Sequence, residues 1–127
     1  MKKNGFTLIE LLAVILIIGV IALISTPLVM NQIEKSKKET LRDSIKEMVN
    51  AIRYYQTENE IFDGGTYTVD GSQLKHGSDV IDVDGSILGS GTITMNEKDE
   101  ATVKIQYQQY CATGNSENLK VETKECN

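Results

Sequence analysis

Histidine is almost missing from this sequence, His76 being the only one, and cysteine is limited to Cys111 and Cys126. There is no paired C-x-x-C, and His76 stands in a Gly-rich run that reads as an exposed turn with no neighbouring ligands. Metal binding is therefore without support, and His76 is taken as surface decoration. No nucleophile accompanies a plausible base, no Gly-rich phosphate loop is present, and no convergent carboxylate pair can be named. The expectation is a protein without enzymatic chemistry or cofactor. Basic charge is scarce where a nucleic-acid surface would need it: residues 61–127 hold five Lys or Arg against eleven Asp or Glu. Phosphate-backbone affinity comes largely from Lys and Arg releasing counterions, and no basic stripe with interleaved aromatics occurs, so direct nucleic-acid binding is not expected. Asp79, Asp82 and Asp84 do not follow the EF-hand order, because Gly85 comes too early for the glycine at the sixth position. They are taken as turn and solvation residues.

A chain of 127 residues has room for one modest globular domain, and its first quarter has the wrong composition to belong to it. Met1 to Gly5 is a short polar leader with Lys2 and Lys3. Phe6 to Met30 then holds a single charged residue, Glu10. At a rise of about 1.5 Å per residue, such a stretch can cross a hydrocarbon core of about 30 Å. Lys2 and Lys3 place the N-terminus in the cytoplasm and the rest of the chain outside. A secretory signal peptide also begins with a basic start and an apolar run. Here, however, no small-x-small cleavage site follows, and apolar residues resume at Leu28 to Met30 beyond Ser25, Thr26 and Pro27.

The string Gly5-Phe6-Thr7-Leu8-Ile9-Glu10-Leu11-Leu12 closely resembles the processing signature of type IV prepilins and of the related pseudopilins of type II secretion. The resemblance is strongest over residues 1 to about 30. It implies cleavage between Gly5 and Phe6 by a membrane-embedded prepilin peptidase, and methylation of the new amine on Phe6. A glycine before the bond also has a physical rationale, since an extended backbone without a side chain can enter a narrow protease cleft. A carboxylate within an apolar span costs about 2.5–3.5 kcal/mol and is normally retained for a partner. The resemblance implies that Glu10 pairs with the Phe6 amine of a neighbouring subunit and sets the axial register. The plainer alternative is a Glu10 that snorkels toward the headgroups. Pro27 removes a backbone donor and clashes with the preceding turn, so a kink is expected there. In the family, the helix loosens at such a proline within the filament.

Leu41, Ile45, Met48, Val49, Ile52 and Tyr55 recur at spacings of three and four, marking an apolar stripe. Glu34 with Lys38, Lys35 with Glu39, and Asp43 with Lys46 can pair on the solvated side. One helix from about Phe6 to about Asn59 is predicted, apolar in its first half and amphipathic in its second. From Ile61 onward glycines punctuate short β-prone runs. Val69-Asp70-Gly71-Ser72 recurs as Val83-Asp84-Gly85-Ser86, and both Asp-Gly pairs are expected to turn hairpins of type I′. Thr92–Met95 and Thr102–Tyr107 alternate in polarity around the turn 96–100. That pattern puts Ile93, Met95, Val103 and Ile105 on the buried face. The fold class is α+β: a long N-terminal helix packed against an antiparallel sheet of about four strands. The organisation is a leader (1–5), a membrane or filament-core helix (6–30), an amphipathic helix (31–60) and a β-rich head (61–127).

Cys111 and Cys126, an even pair in an exported domain, are expected to form a disulfide. They resemble the disulfide-bounded C-terminal region that such pilins often carry. The implied function is a structural subunit, inserted as a single pass in the cytoplasmic membrane and polymerised with itself or other pilins into an extracellular filament. Its partners would be the peptidase, the assembly machinery and the membrane. The alternative is a minor subunit at the filament tip whose head acts as an adhesion or binding module.

Overall fold

The computed structural model describes Gly5 and residues 7–126, with the side chains of residues 25–27 left aside. Helix α1 runs from Leu8 to Glu58. Seven strands follow: β1 (Gly65–Asp70), β2 (Leu74–His76), β3 (Asp79–Ile81), β4 (Ser90–Met95), β5 (Ala101–Tyr107), β6 (Tyr110–Asn115) and β7 (Lys120–Thr123). By contacts the chain divides into two compact units, Met1–Ser36 and Lys37–Asn127.

In the first unit the large apolar side chains among the described residues stand exposed. Leu8, Leu16 and Leu23 are 84%, 66% and 79% exposed. No single described helix is long and apolar enough to cross a membrane, but the bent pair Leu8–Ile24 and Leu28–Glu58 together satisfies length and composition. The kink expected at Pro27 rests on a side chain outside the described residues.

The second unit contains the core. Leu41, Ile45, Met48, Val49 and Ile52 are buried on α1, and Tyr55 is half-buried beside them. They lie on one side of the helix because 3.6 residues per turn brings positions three and four apart together. The sheet contributes alternate residues to the same core: Tyr67 and Val69 from β1, Ile93 and Met95 from β4, and Ala101, Val103 and Ile105 from β5. A strand alternates its side chains between faces, so this set is the period-two counterpart of the helical stripe. Each such aliphatic side chain, once buried, is worth about 1.5–3 kcal/mol, and the unit is held mainly by this seam.

The sheet is antiparallel in the order β3-β2-β1-β4-β5-β6-β7. The class is the expected one, but there are seven strands rather than about four. β4 and β5 pair with Ile93 opposite Val103 and Met95 opposite Ala101. Much of the difference lies in the hairpin β6–β7, within the disulfide-bounded C-terminal region, while β2 and β3 are three residues each. Three residues are too few for alternation to show.

The two Val-Asp-Gly-Ser segments do different things. The first does turn a hairpin, but Gly71 and Ser72 occupy its centre, closed by the Asp70 N–H donating to the Gln73 carbonyl at 2.9 Å. Gly71 has a φ of 66° and Ser72 is not among the positive-φ residues, so the Asp-Gly pair is not the central pair of a type I′ turn. The second segment is no hairpin. β4 lies beside β1 on the side away from β2, so the chain from β3 must pass β2 and β1 before it can re-enter the sheet. Residues 82–89 make that crossing along α1.

Candidate functional site

The N-terminal segment builds its own helix start. Thr7 precedes the first helical residue, and its Oγ1 accepts a hydrogen bond from the Glu10 N–H at 3.2 Å. In return the Thr7 N–H donates to Glu10 Oε2 at 3.4 Å. This reciprocal arrangement is a capping box, in which residues three apart satisfy two of the donors that every helix start leaves unpaired. A carboxylate in the first turn also meets the positive end of the helix dipole. The string Thr-x-x-Glu at residues 7–10 carries that signal in the sequence, beside the intermolecular and snorkelling roles that the apolar surroundings of Glu10 suggest.

Gly5 is exposed, and a Cβ added there would meet nothing within 4 Å. The chain's own packing therefore places no demand for glycine at this position. Phe6, the other half of the expected cleavage bond and the expected methylation position, lies outside the described residues, as do Lys2 and Lys3. Glu10 is likewise exposed, four residues from Phe6 along the chain.

In the head, Cys111 on β6 is bonded to Cys126, 15 residues on, with their Cα atoms 5.3 Å apart. Gln106 secures the same tail: its Oε1 accepts from the Cys126 N–H at 2.5 Å, and its Nε2 donates to the carbonyls of Gln108 at 2.9 Å and Lys124 at 3.3 Å. A glutamine in an alternating strand gives no sequence signal for that task.

His76 is not in an exposed turn. It closes β2, half-buried, with its ring stacked on Tyr67 at a centroid distance of 4.6 Å and edge-on to Tyr55 at 5.7 Å. The Tyr55 hydroxyl donates to Asp79 Oδ2 at 2.8 Å. That bond, which favours the protonated phenol, is the main reason the Tyr55 pKa lies above its ordinary 10.0. Burial is the main cause of the same upward shift at Tyr67. Asp79 thus has a structural partner, while Asp82 and Asp84 border an open groove beside α1. Among the described residues no three His, Cys, Asp or Glu side chains come together in a way that could hold a metal ion.

Sequence reading also missed Ser44. It is buried on α1, and its hydroxyl donates to the Ser86 carbonyl at 2.7 Å and accepts from the Leu88 N–H at 3.2 Å. The crossing segment is thereby fastened to the helix. Next to it, the backbone at Gly85 approaches the Glu47 carboxylate so closely that a Cβ would collide with it, and Gly85 has a φ of 129°. The positive φ favours glycine at that point, whereas the exposed Glu47 carboxylate can swing aside.

Compared with known proteins, residues 1–26 match the family model described as the prokaryotic N-terminal methylation motif. Three curated relatives, each named type II secretion system core protein G, are similar over part of the chain. The protein of Escherichia coli K12 is 40% identical over 58 residues, which are 46% of this chain and 40% of the relative. That of Pseudomonas aeruginosa is 33% identical over 58 residues, 46% of this chain and 41% of the relative. That of Vibrio cholerae is 30% identical over 61 residues, 48% and 42% of the two chains. The chain therefore spans less than half the length of the curated relatives it matches. No solved structure matches it.

Proposed function

We propose, from the methylation motif over residues 1–26 and the similarity to proteins named type II secretion system core protein G, that the chain is a structural subunit of a pilus-like filament, of the kind formed by type IV pilins and type II secretion pseudopilins. In this reading the precursor is cut between Gly5 and Phe6, Phe6 is methylated, and the apolar part of α1 anchors the protein in the cytoplasmic membrane with its N-terminus inside. The same helix then enters the filament core, and a bend at Pro27 lets it adapt there. The partners are other subunits of this kind, the prepilin peptidase and the assembly machinery. The similarity to proteins named for type II secretion favours a pseudopilin within that range. No observation favours the tip-adhesin alternative, and the part played is structural rather than enzymatic.

The observation that carries the proposal is an overlap: the methylation motif over residues 1–26 covers the start of a helix whose described large apolar side chains between Leu8 and Ile24 and from Leu28 to Met30 stand exposed. An exposed stripe of that length needs lipid or neighbouring helices to cover it. Gly5 adds support, because among the described residues nothing lies within 4 Å of a Cβ built there, and an extended backbone without a side chain suits a narrow protease cleft. Intact-mass measurement of protein sheared from cells tests the proposal. A mature chain beginning at methylated Phe6 is the expected result. A chain beginning at Met1, or near Pro27 as a secretory signal would leave it, overturns the processing step. A bulky replacement of Gly5 should leave uncut precursor in the membrane.

A further inference from the structure

Three Asp-Gly pairs occur in the chain: Asp63-Gly64, Asp70-Gly71 and Asp84-Gly85. Such a pair carries a reaction of its own, because a glycine nitrogen with no Cβ beside it can approach the preceding aspartyl Cγ. An N–Cγ bond forms, a Cγ–O bond breaks, and the carboxyl OH leaves as water with the amide proton. The product is a five-membered succinimide. Water then adds back at either ring carbonyl. Addition at Cγ restores aspartate; addition at the α-carbonyl leaves isoaspartate, with the main chain routed through Cβ and Cγ. Mass is unchanged overall, nothing is oxidised or reduced, and water is the sole co-reactant. In a folded chain the step needs a glycine N–H free of any hydrogen bond and a carboxyl group with room to fold back onto it.

The fold separates the three pairs. The Gly71 N–H donates to the Gly89 carbonyl at 2.8 Å, and Asp70 Oδ2 lies 3.6 Å from Lys75 Nζ. Both reacting groups are engaged elsewhere. Gly64 is half-buried and so close to the Met95 carbonyl that a Cβ would collide with it, which confines the backbone next to Asp63. Asp84 and Gly85 are both exposed, and Asp84 lines an open cleft of about 390 Å³ beside α1. Among the described residues the Gly85 N–H has no hydrogen-bond acceptor. What crowds Gly85 is the Glu47 carboxylate, the far end of an exposed and flexible side chain.

We propose that Asp84-Gly85 is a site of spontaneous isoaspartate formation in the folded head. Asp70-Gly71 is its internal control, since both pairs sit in the same sequence, Val-Asp-Gly-Ser, and only their surroundings differ. Isoaspartate would lengthen the main chain by one carbon two residues before Ser86, whose carbonyl accepts from Ser44 Oγ at 2.7 Å. The modification therefore loosens the fastening of the crossing segment to α1. It stands independently of the filament reading.

Full-length folded protein, aged in heavy-oxygen water, tests this. Each hydrolysed succinimide takes up one heavy oxygen, and electron-transfer fragmentation of the digested peptides tells isoaspartate from aspartate. Label and isoaspartate should gather first at residue 84, with those at residue 70 lower by about fivefold or more, the worth of one backbone hydrogen bond. The same full chain in denaturant should label all three pairs at comparable rates. Asp84→Glu, whose cyclisation would need a six-membered ring, should abolish labelling at that position and leave residue 70 as it was. In the aged fraction, amide exchange at Leu88 should be faster. Equal labelling of residues 70 and 84 in the folded protein overturns the proposal. So does an absence of label at residue 84 over a period in which the denatured chain reacts. An excess at residue 84 that persists undiminished in denaturant also overturns it, because sequence and not the fold would then set the rate.

Discussion

Thr7 and Glu10 close the first turn of α1 on each other, each accepting the other's backbone N–H, at 3.2 Å and 3.4 Å. Glu10 therefore has work within a single chain before any neighbour arrives. A capping carboxylate loses little by adding a cationic partner, since an ionised group has about four lone-pair sites for hydrogen bonds. The two tasks can be separated chemically. Glutamine retains the capping geometry without the charge, and alanine retains neither.

Replacing Glu10 should accordingly leave membrane insertion and cleavage at Gly5 nearly intact while greatly reducing incorporation into filaments. Glu10→Gln and Glu10→Ala should fail to a similar degree if the missing element is the charge facing a neighbour's Phe6 amine, because a buried unpaired group costs several kcal/mol. Thr7→Ala, which removes a cap worth about 1 kcal/mol, should be milder. The ratio of sheared filament to membrane pool, with each variant as the sole copy, measures this. Wild-type yield from Glu10→Ala would return the residue to capping or snorkelling.

Ser44→Ala should destabilise the head by about 1–3 kcal/mol, the cost of leaving buried backbone groups without partners. The Ser86 carbonyl and the Leu88 N–H both lose their hydrogen bond. Denaturant unfolding of the full chain in detergent would register it. Hydrogen exchange should rise first at Leu88. A variant as stable as wild type would mean that water replaces the hydroxyl.

The contrast between Ile45 and Ser44 explains what could be read in the sequence. Ile45 belongs to a repeating stripe and Val103 to an alternating strand, and repetition over several turns or residues fixes a face without any knowledge of partners. Ser44 acts through residues more than forty positions away, and only the sheet order determines that the segment holding Ser86 runs alongside the helix. The same dependence misled the two Val-Asp-Gly-Ser segments: identical local chemistry turns a hairpin at Gly71 and lines a crossing at Gly85. The pairing of β2 with β3 was missed because three residues show no alternation, and the place of His76 was misread because its aromatic neighbours Tyr55 and Tyr67 come from other elements. The N-terminal motif was legible for a different reason, since residues 5–12 are contiguous and the chemistry inferred for them is local. That motif does not specify the surface of the head.

Reduction of the Cys111–Cys126 bond should lower head stability by about 3 kcal/mol, the entropy of a loop of roughly this length in the unfolded chain. β7, an edge strand paired only with β6, should lose exchange protection before β4 or β5 does. The apolar half of α1 should be unaffected. Mass-resolved hydrogen exchange with and without reductant distinguishes this ordered loosening from global unfolding, and protection unchanged at β7 would show that Gln106 alone suffices to hold the tail.

Alkaline pH should weaken the head through Tyr55 and Tyr67, whose pKa values both lie above the ordinary 10.0 in the folded chain. In the unfolded chain these phenols lose their protons at the ordinary value, so above that pH the unfolded state binds fewer protons than the folded one, and stability falls as pH rises. Below pH 10 the contribution is fully present; it is lost as pH climbs from there through the raised folded values. For Tyr55 the leading cause is its bond to Asp79, so Asp79→Asn should bring one tyrosine's titration back toward the ordinary value, as followed by tyrosinate absorbance. For Tyr67 the leading cause is burial, which Asp79→Asn does not touch, so its titration should stay high and coincide with unfolding. If Asp79→Asn leaves every tyrosine where it was, the carboxylate is not what holds the Tyr55 proton, and the pairing of α1 with β3 through that bond loses its support.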